Sequence, residues 1–413
     1  MDTKVWSRLG ARSTTRSARW ASLVFVGVLA LALVPRSALA ATINVACGDI
    51  PGLKAAITSS SPGDTVSLAA GCTYTLTTVD NVDGSFGPNG LPLINKVLTI
   101  EGNGSIIANA GVVQFRFFDL GAAANVTLNR VTLSNGNVAN QGGAILLKTG
   151  AQLTTTEVKF SGNVATAGGG AIYGQAGTTL KVTADTFSNN DSGGTAGGGG
   201  ILSLGTTAVE RSTFTGNSGD MGGAIMVGTP AIALGSLSVV NSTFTGNTAA
   251  SFGNAIKNFG TAFVTSSTLS DNPSSTSDGS ISSTGTFTLQ NSIVADGTPN
   301  NCSAAGPITD GGHNISWPDT SCPGLNVDPN LGPLANNGGP TQTLALPAGS
   351  PAVDGVPATG ASCFPTDQRG VTRPQGPNCD VGAFELQVAP TPTPVPPSPT
   401  GAPVPGPPQT GRS

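Results

Sequence analysis

The chain has 413 residues, of which 10% are charged and 5% aromatic, and its formal net charge is −4. Glycine numbers 58, about twice its usual ~7% share, but no G-x-y period runs through the chain, which excludes a collagen. No stretch clusters Lys and Arg as a nucleic-acid footprint requires.

Residues 1–40 read as an export signal peptide. Lys4, Arg8, Arg12, Arg16 and Arg19 precede an apolar core from Ala21 to Val34, and Ala38-Leu39-Ala40 puts small residues where a signal peptidase cuts. That core falls short of the ~20 residues that span a bilayer as a helix. Cleavage after Ala40 removes six basic residues and one acid and leaves −9 on the mature chain, in which no later stretch is apolar enough to span a membrane.

Residues 41–76 read as an N-terminal cap and first coil. Leu53-Lys54-Ala55-Ala56-Ile57 is a short amphipathic helix, placed to cover the open end of a strand stack. Gly63–Leu68 and Cys72–Leu76 follow as strands, and Val97–Gly102 and Val126–Leu128 as early coils. Asp80-Asn81-Val82-Asp83-Gly84 has calcium-loop residues without the full ligand spacing and reads as a plain turn.

The strongest signal is a repeat. GGAI stands at Gly142–Ile145, Gly169–Ile172 and Gly222–Ile225, with variants GGGI at Gly198–Ile201 and GNAI at Gly253–Ile256. Between them runs FxxN: Phe160/Asn163, Phe187/Asn190, Phe214/Asn217 and Phe244/Asn247, with weaker copies at Leu269/Asn272 and Ile293/Asp296. Counted from Leu133, the anchors recur every ~25–30 residues, a solenoid-like period. That period leaves no room for a ten-residue helix, and Val158-Lys159-Phe160 and Thr213-Phe214-Thr215 alternate as strands do. One turn of such a chain cannot bury its own apolar face, whereas turns stacked at about 4.8 Å bury a continuous core. A propeller blade needs ~40 residues or more, and the L-x-x-L-x-L skeleton of leucine-rich repeats is absent. The expected fold is all-β: a single-stranded right-handed parallel β-helix of about nine to eleven coils from Gly63 to about Ile315, with residues 77–315 as the coil domain proper and a short N-terminal capping helix. The Asn is expected to serve the turns by tolerating the left-handed conformation, and the Gly pair to permit a bend at positive φ.

Residues 316–386 read as a C-terminal capping segment, and residues 387–413 as a disordered Pro/Thr-rich spacer. PPQTG near the end lacks the apolar segment a sortase signal requires. Cys47, Cys72, Cys302, Cys322, Cys363 and Cys379 fall into three sequence-local pairs, taken in chain order, expected as disulfides in an exported protein. Arg369, Arg373, Asp380 and Glu385 form a dense charged group, read as an ion network closing the C-terminal end of the helix.

The GGAI and FxxN residues resemble the repeats of chlamydial-type polymorphic outer-membrane proteins. Cys47–Leu76 is similar to the CSLREA-type N-terminal segment, without those letters. DPNLGPLANNGGPTQTLALPAGSPAVDG (328–355), DQRGVTRP (367–374) and CDVGAFE (379–385) closely resemble the choice-of-anchor Q domain. These resemblances imply a pectin-lyase-like β-helix displayed on, or released from, a bacterial cell, and no particular reaction. Autotransported members carry a large C-terminal β-barrel, which the short stretch after Glu385 does not accommodate.

Catalysis on such a scaffold requires acids or bases gathered on one face of neighbouring coils. Glu157, Asp185, Asp191, Glu210, Asp220, Asp271, Asp278 and Asp296 fall at different phases of the repeat, as do Lys148, Lys159, Lys181, Arg211 and Lys257. His313, the single histidine, reads as a solvated loop residue. Outward Thr132/Ser134, Thr186/Ser188, Thr213/Thr215, Thr243/Thr245 and Thr268/Ser270 form a ladder of the kind found on ice-binding surfaces, interrupted by Lys159, although threonine is simply a good strand residue. The sequence thus predicts no catalytic residue, metal or cofactor. It points to a non-catalytic secreted or cell-surface protein in adhesion or display, meeting an extracellular glycan or protein, with a polysaccharide lyase, glycoside hydrolase or carbohydrate-binding module as the alternative.

Overall fold

A computed structural model describes residues 40–193, 197–273, 278–304, 306–359 and 363–387, with Gly406 and Gly411. Residues 1–39, which the sequence reading assigns to an export signal, and most of the Pro-rich tail therefore lie outside the described residues.

Alternation builds the coils. In the strand Gln152–Thr156, Leu153 and Thr155 turn inward and their neighbours face out. Leu153 stacks in parallel register on Val126 below and Leu180 above, and the column continues through Thr207, Leu237, Ala262 and Phe287. Stacking gives each strand's backbone partners on both sides, which a single turn lacks. The result is a right-handed parallel β-solenoid of about nine turns, with one helix among the described residues. A long sheet of 19 strands and a second sheet of 8 form its main walls.

The bends are specific. The long sheet folds at a left-handed residue in each coil, among them Glu157, Ala184 and Arg211 at φ 55°, 57° and 52°. After the FxxN strand a second bend uses Gly162, Asn189, Gly216, Gly246 and Asp271, so left-handed geometry falls one residue before the Asn and not on it. The Asn points inward instead. Asn190 Nδ2 donates to Asn217 Oδ1 at 2.9 Å and to the Phe160 carbonyl at 3.0 Å. The pattern runs from Asn163 to Asn272, always in the same sense. Beside it Phe160, Phe187, Phe214 and Phe244 stack with centroids 4.5, 4.5 and 4.7 Å apart. The register also corrects the weakest repeat copy: Leu269 pairs with Val294, which enters the core, while Ile293 faces out.

The two glycines of GGAI do different work. Gly169 takes φ 64°, but Gly170 needs its missing side chain, since a Cβ there would lie 2.1 Å from the carbonyl oxygen of Gly199 in the next coil.

At the N-terminal end the helix Ile50–Ser59 lies on the first coil, capped by Asp49, which accepts from the Gly52 amide at 2.8 Å, and buries Leu53, Ala56 and Ile57. At the other end Cys322 is bonded to Cys302 and joins the same core. Cys47–Cys72 and Cys363–Cys379 are the other two bonds.

The C-terminal segment departs in part from its expected place. Cys322 enters the core at the end of the stack and Leu325 bridges to Ile315 of the last coil, but the rest of the described segment lies along the flank of the long sheet. Leu346, Ala352, Val356, Val381 and Phe384 pack on the outward Ile293, Ala295 and Ile315. Further back, Thr213 Oγ1 donates to the Gln342 carbonyl at 2.6 Å, Thr243 Oγ1 donates to Gln368 Oε1 at 2.6 Å, and the Ala383 amide donates to Thr268 Oγ1 at 3.0 Å. The hydroxyl ladder supplies evenly spaced partners for the segment, and Thr213, Thr243 and Thr268 are buried beneath it. They form no open ice-binding face.

Candidate functional site

The second sheet carries three-residue strands whose flanking positions enter the core. Their middle residues face out and align as Asp119, Leu146, Tyr173, Leu202, Met226, Lys257, Ser282 and Ser303. The column is thus apolar in the middle and polar at both ends. Leu146, Tyr173, Leu202, Leu204 and Met226 form a second apolar cluster, covered in part by Phe86, Met221 and Phe259.

At one end the hairpin Asn81–Asp83 with Gly87–Asn89 brings charges together. Lys148 Nζ lies 2.6 Å from Asp83 Oδ2 and 2.9 Å from Asp119 Oδ2. Its hydrogen bond to Lys148 holds Asp83 below the usual carboxylate range despite partial burial. Burial lowers the Lys148 ammonium, but its bonds to Asp83 and Asp119 more than offset this and the net shift is upward. Arg116 is fully buried, donates to Asn89 Oδ1 at 2.7 Å and to the carbonyls of Phe86, Gln141 and Gly142, and is brought down to about 10 by burial against the opposing pull of Asp119 and Asp83. Asp80 pairs with Lys54 at 3.3 Å. The acids of the Asp80–Gly84 loop therefore meet lysines, and no group of three His, Cys, Asp or Glu suited to a metal occurs among the described residues.

At the other end the coil departs from its repeat in several places at once. Lys257 stands where preceding coils place Met226 and Leu202. The turn between the strands Ile225–Val227 and Ser236–Val240 is long and carries Pro230. The paired strands Ser218–Met221 and Thr248–Phe252 add a second wall. Together these enclose a cavity of about 250 Å³ lined by Met221, Pro230, Phe252, Lys257, Phe259, Asp278, Ser282 and Thr284. Lys257 Nζ lies 4.8 Å from the centroids of both the Phe252 and Phe259 rings and donates to Ser282 Oγ at 2.9 Å. Ser282 donates in turn to Asp278 Oδ2 at 3.1 Å, which also accepts from Ser303 at 2.8 Å. Asp278 Oδ1 is closed to solvent and has no partner among the described residues. Burial lowers the Lys257 ammonium, opposed by the charge of Asp278. A Ser beside a Lys is a nucleophile–base pairing in principle, but here Ser282 relays between a cation and a carboxylate.

The sequence-predicted charged group is paired internally, with Arg373 Nε left without a hydrogen bond among the described residues. Arg373 Nη1 lies 3.2 Å from Glu385 Oε2 and donates to the Asp380 carbonyl at 2.6 Å. Glu385 also accepts from the Gln375 and Asp380 amides, and Asp380 from those of Asp354 and Leu386. Arg369 pairs with Asp367 at 2.7 Å and lies over the Phe384 ring. Asp367, the first residue of DQRGVTRP, belongs to the network too, although the sequence reading did not include it. Burial pushes Asp380 and Glu385 up, against the pull of backbone donors and Arg373. The network stitches the flank segment to itself and does not close the end of the helix. His313 takes φ 56° at a loop and lines a separate shallow cavity with Asp310, Leu325 and Val381.

The expectation that acids and bases are scattered needs correction. Their sequence phases differ, yet Lys148 meets Asp83 and Asp119, and Lys257 and Asp278 line one cavity. The signal was present as single substitutions in the column that starts two residues after the alanine of GGAI. The model of the Chlamydia polymorphic membrane protein repeat matches residues 157–175, one bend, one FxxN strand and one glycine-rich turn of a single coil. No curated protein and no solved structure matches the chain.

Proposed function

We propose that this protein is a non-catalytic β-solenoid, exported to or displayed on a cell surface, that binds extracellular material through the outer face of its second sheet. One observation carries the reading: the departures from the repeat converge on a single recessed pocket, around Lys257, whose polar atoms are not all used. The buried charges of the flank segment, by contrast, are paired with one another as ions. Three disulfides, the signal-peptide pattern of residues 1–40 and the matched repeat support an extracellular place. The likeness of residues 328–385 to the choice-of-anchor Q domain supports an envelope attachment in which the flank segment takes part.

The test is direct. The full chain, expressed with its leader, is expected in the medium or open to protease on intact cells, and the mature protein is expected to bind cells or matrix above a β-helix control. Binding no stronger than that control overturns the adhesion role. The second reading, a polysaccharide-active enzyme, is favoured by Lys148 between two aspartates with Asp119 Oδ1 left unpaired. It predicts cleavage in a polysaccharide panel that disappears in Lys148→Met, a result that would replace the first reading.

A further inference from the structure

The Lys257 pocket says more about what it accepts. At about 250 Å³ it lies below the roughly 300–1,000 Å³ of drug-sized sites, so it takes one ring or a pendant group. Its two charges are of opposite sign, which favours a neutral guest over an anion that Asp278 would repel. Among the described residues Lys257 makes no ion pair within 4.0 Å, and its hydrogen bond goes to a neutral hydroxyl. Asp278 Oδ1 accepts nothing among the described residues, but it is closed to solvent, so the carboxylate acts on a guest through its charge. The guest must therefore bring an uncharged acceptor for the ammonium. The remaining lining consists of a thioether, a proline ring and two phenyl rings, surfaces that reward a methyl group. Phe252 is 43% exposed at the rim, with Ile232 and Leu234 exposed on the turn beside it.

We propose that this pocket binds the acetamido group of an N-acetylated hexosamine in a glycan. The acetamido carbonyl accepts from Lys257 Nζ, and its methyl lies against Met221 and Pro230. A plain hexose lacks the methyl, and a uronate brings a carboxylate toward Asp278. This assignment rests on the surface-binding reading and names the ligand class for it.

The experiment titrates the full chain with methyl N-acetylglucosaminide, methyl glucoside and methyl glucuronide, followed by saturation-transfer NMR and calorimetry. The acetamido sugar is expected to bind at least tenfold more tightly than the other two. Lys257→Met, which restores the residue type of Met226 in the same column, is expected to weaken it at least tenfold with an unchanged melting temperature. Phe252→Ala is a second probe at the exposed rim and is expected to weaken it severalfold. Equal binding of all three sugars, no detectable binding, or a Lys257→Met protein that binds as the parent does overturns the proposal. Adhesion to cells that persists without acetamido-sugar binding sinks this inference alone. Sugar binding without adhesion sinks the surface role alone.

Discussion

Asp185 shows how a single side chain can disagree with its column. Two residues before each anchor from Phe187 onward a small polar side chain accepts the amide of the coil beneath: Ser242 from Ser212 at 3.1 Å, Ser267 from Ser242 at 3.1 Å and Ser292 from Ser267 at 3.2 Å. Asp185 holds the first of these places, accepting from the Val158 amide at 2.8 Å. It is fully buried and its Oδ2 has no partner. Burial pushes its carboxyl up to about 8; the nearby Thr155 hydroxyl opposes this, although that hydroxyl's own hydrogen bond goes to the Lys181 carbonyl. A raised carboxyl favours the neutral form in the fold, so this position's stability is full below the ordinary carboxylate range, near pH 4, and is lost as the pH climbs toward 8. Asp185→Asn stays neutral throughout. Denaturant titrations should find it level with the parent near pH 4 and more stable by about 1–3 kcal/mol at pH 9; a difference that does not change with pH would refute the account. The sequence displayed Asp185 as one acid among many. Its burial became visible only with the register that aligns it with the serines.

The glycine pair tests the coil as an element. Gly170→Ala places a methyl against the Gly199 carbonyl, a backbone obstacle that cannot rotate away, and should cost about 1–3 kcal/mol or more. Gly84→Ala, with nothing within 4 Å and no positive φ, should stay within about 0.5 kcal/mol. Guanidinium midpoints decide, and equal effects at the two sites would contradict the close-approach argument. The coil itself was legible in the letters, because five near-copies of one pattern average out the accidents of each. What the letters hid was which face each task fell on. Left-handed geometry and inward hydrogen bonding belong to adjacent residues, and the spacing of FxxN cannot divide them. Lys257 and Asp278 were hidden for a related reason. They are neighbours because Lys257 stacks in register on Ser282 of the next coil, and the length of a coil varies along the chain.

At the scale of the whole chain, the flank segment is what the sequence read least well. Gln368 reaches Thr243 and Thr213 across 125 and 155 residues, and no local pattern announces such a meeting. Its hold depends on the buried Arg373–Glu385 pair, of which both members are about 1% exposed. Arg373→Met strands Glu385 without its cation and should destabilise the segment by about 3–5 kcal/mol. Limited proteolysis should then cut within residues 340–386 before the coils, and simultaneous loss of both would show that the segment is not a separable layer. The asparagine chain carries a different consequence, one of ancestry. Each amide gives in one direction and receives from the other, so a duplicated coil arrives with the donor and the acceptor that its neighbours require, and leaves no seam. Copies of Lys159–Asp185, one full coil, inserted in tandem should therefore fold, as circular dichroism and melting would report. Between Thr213 and Ile293 the strap of residues 341–383 is cut to a fixed span, and copies inserted there should not. A lineage descended from this gene can lengthen at one end of its rod while the other is held to measure.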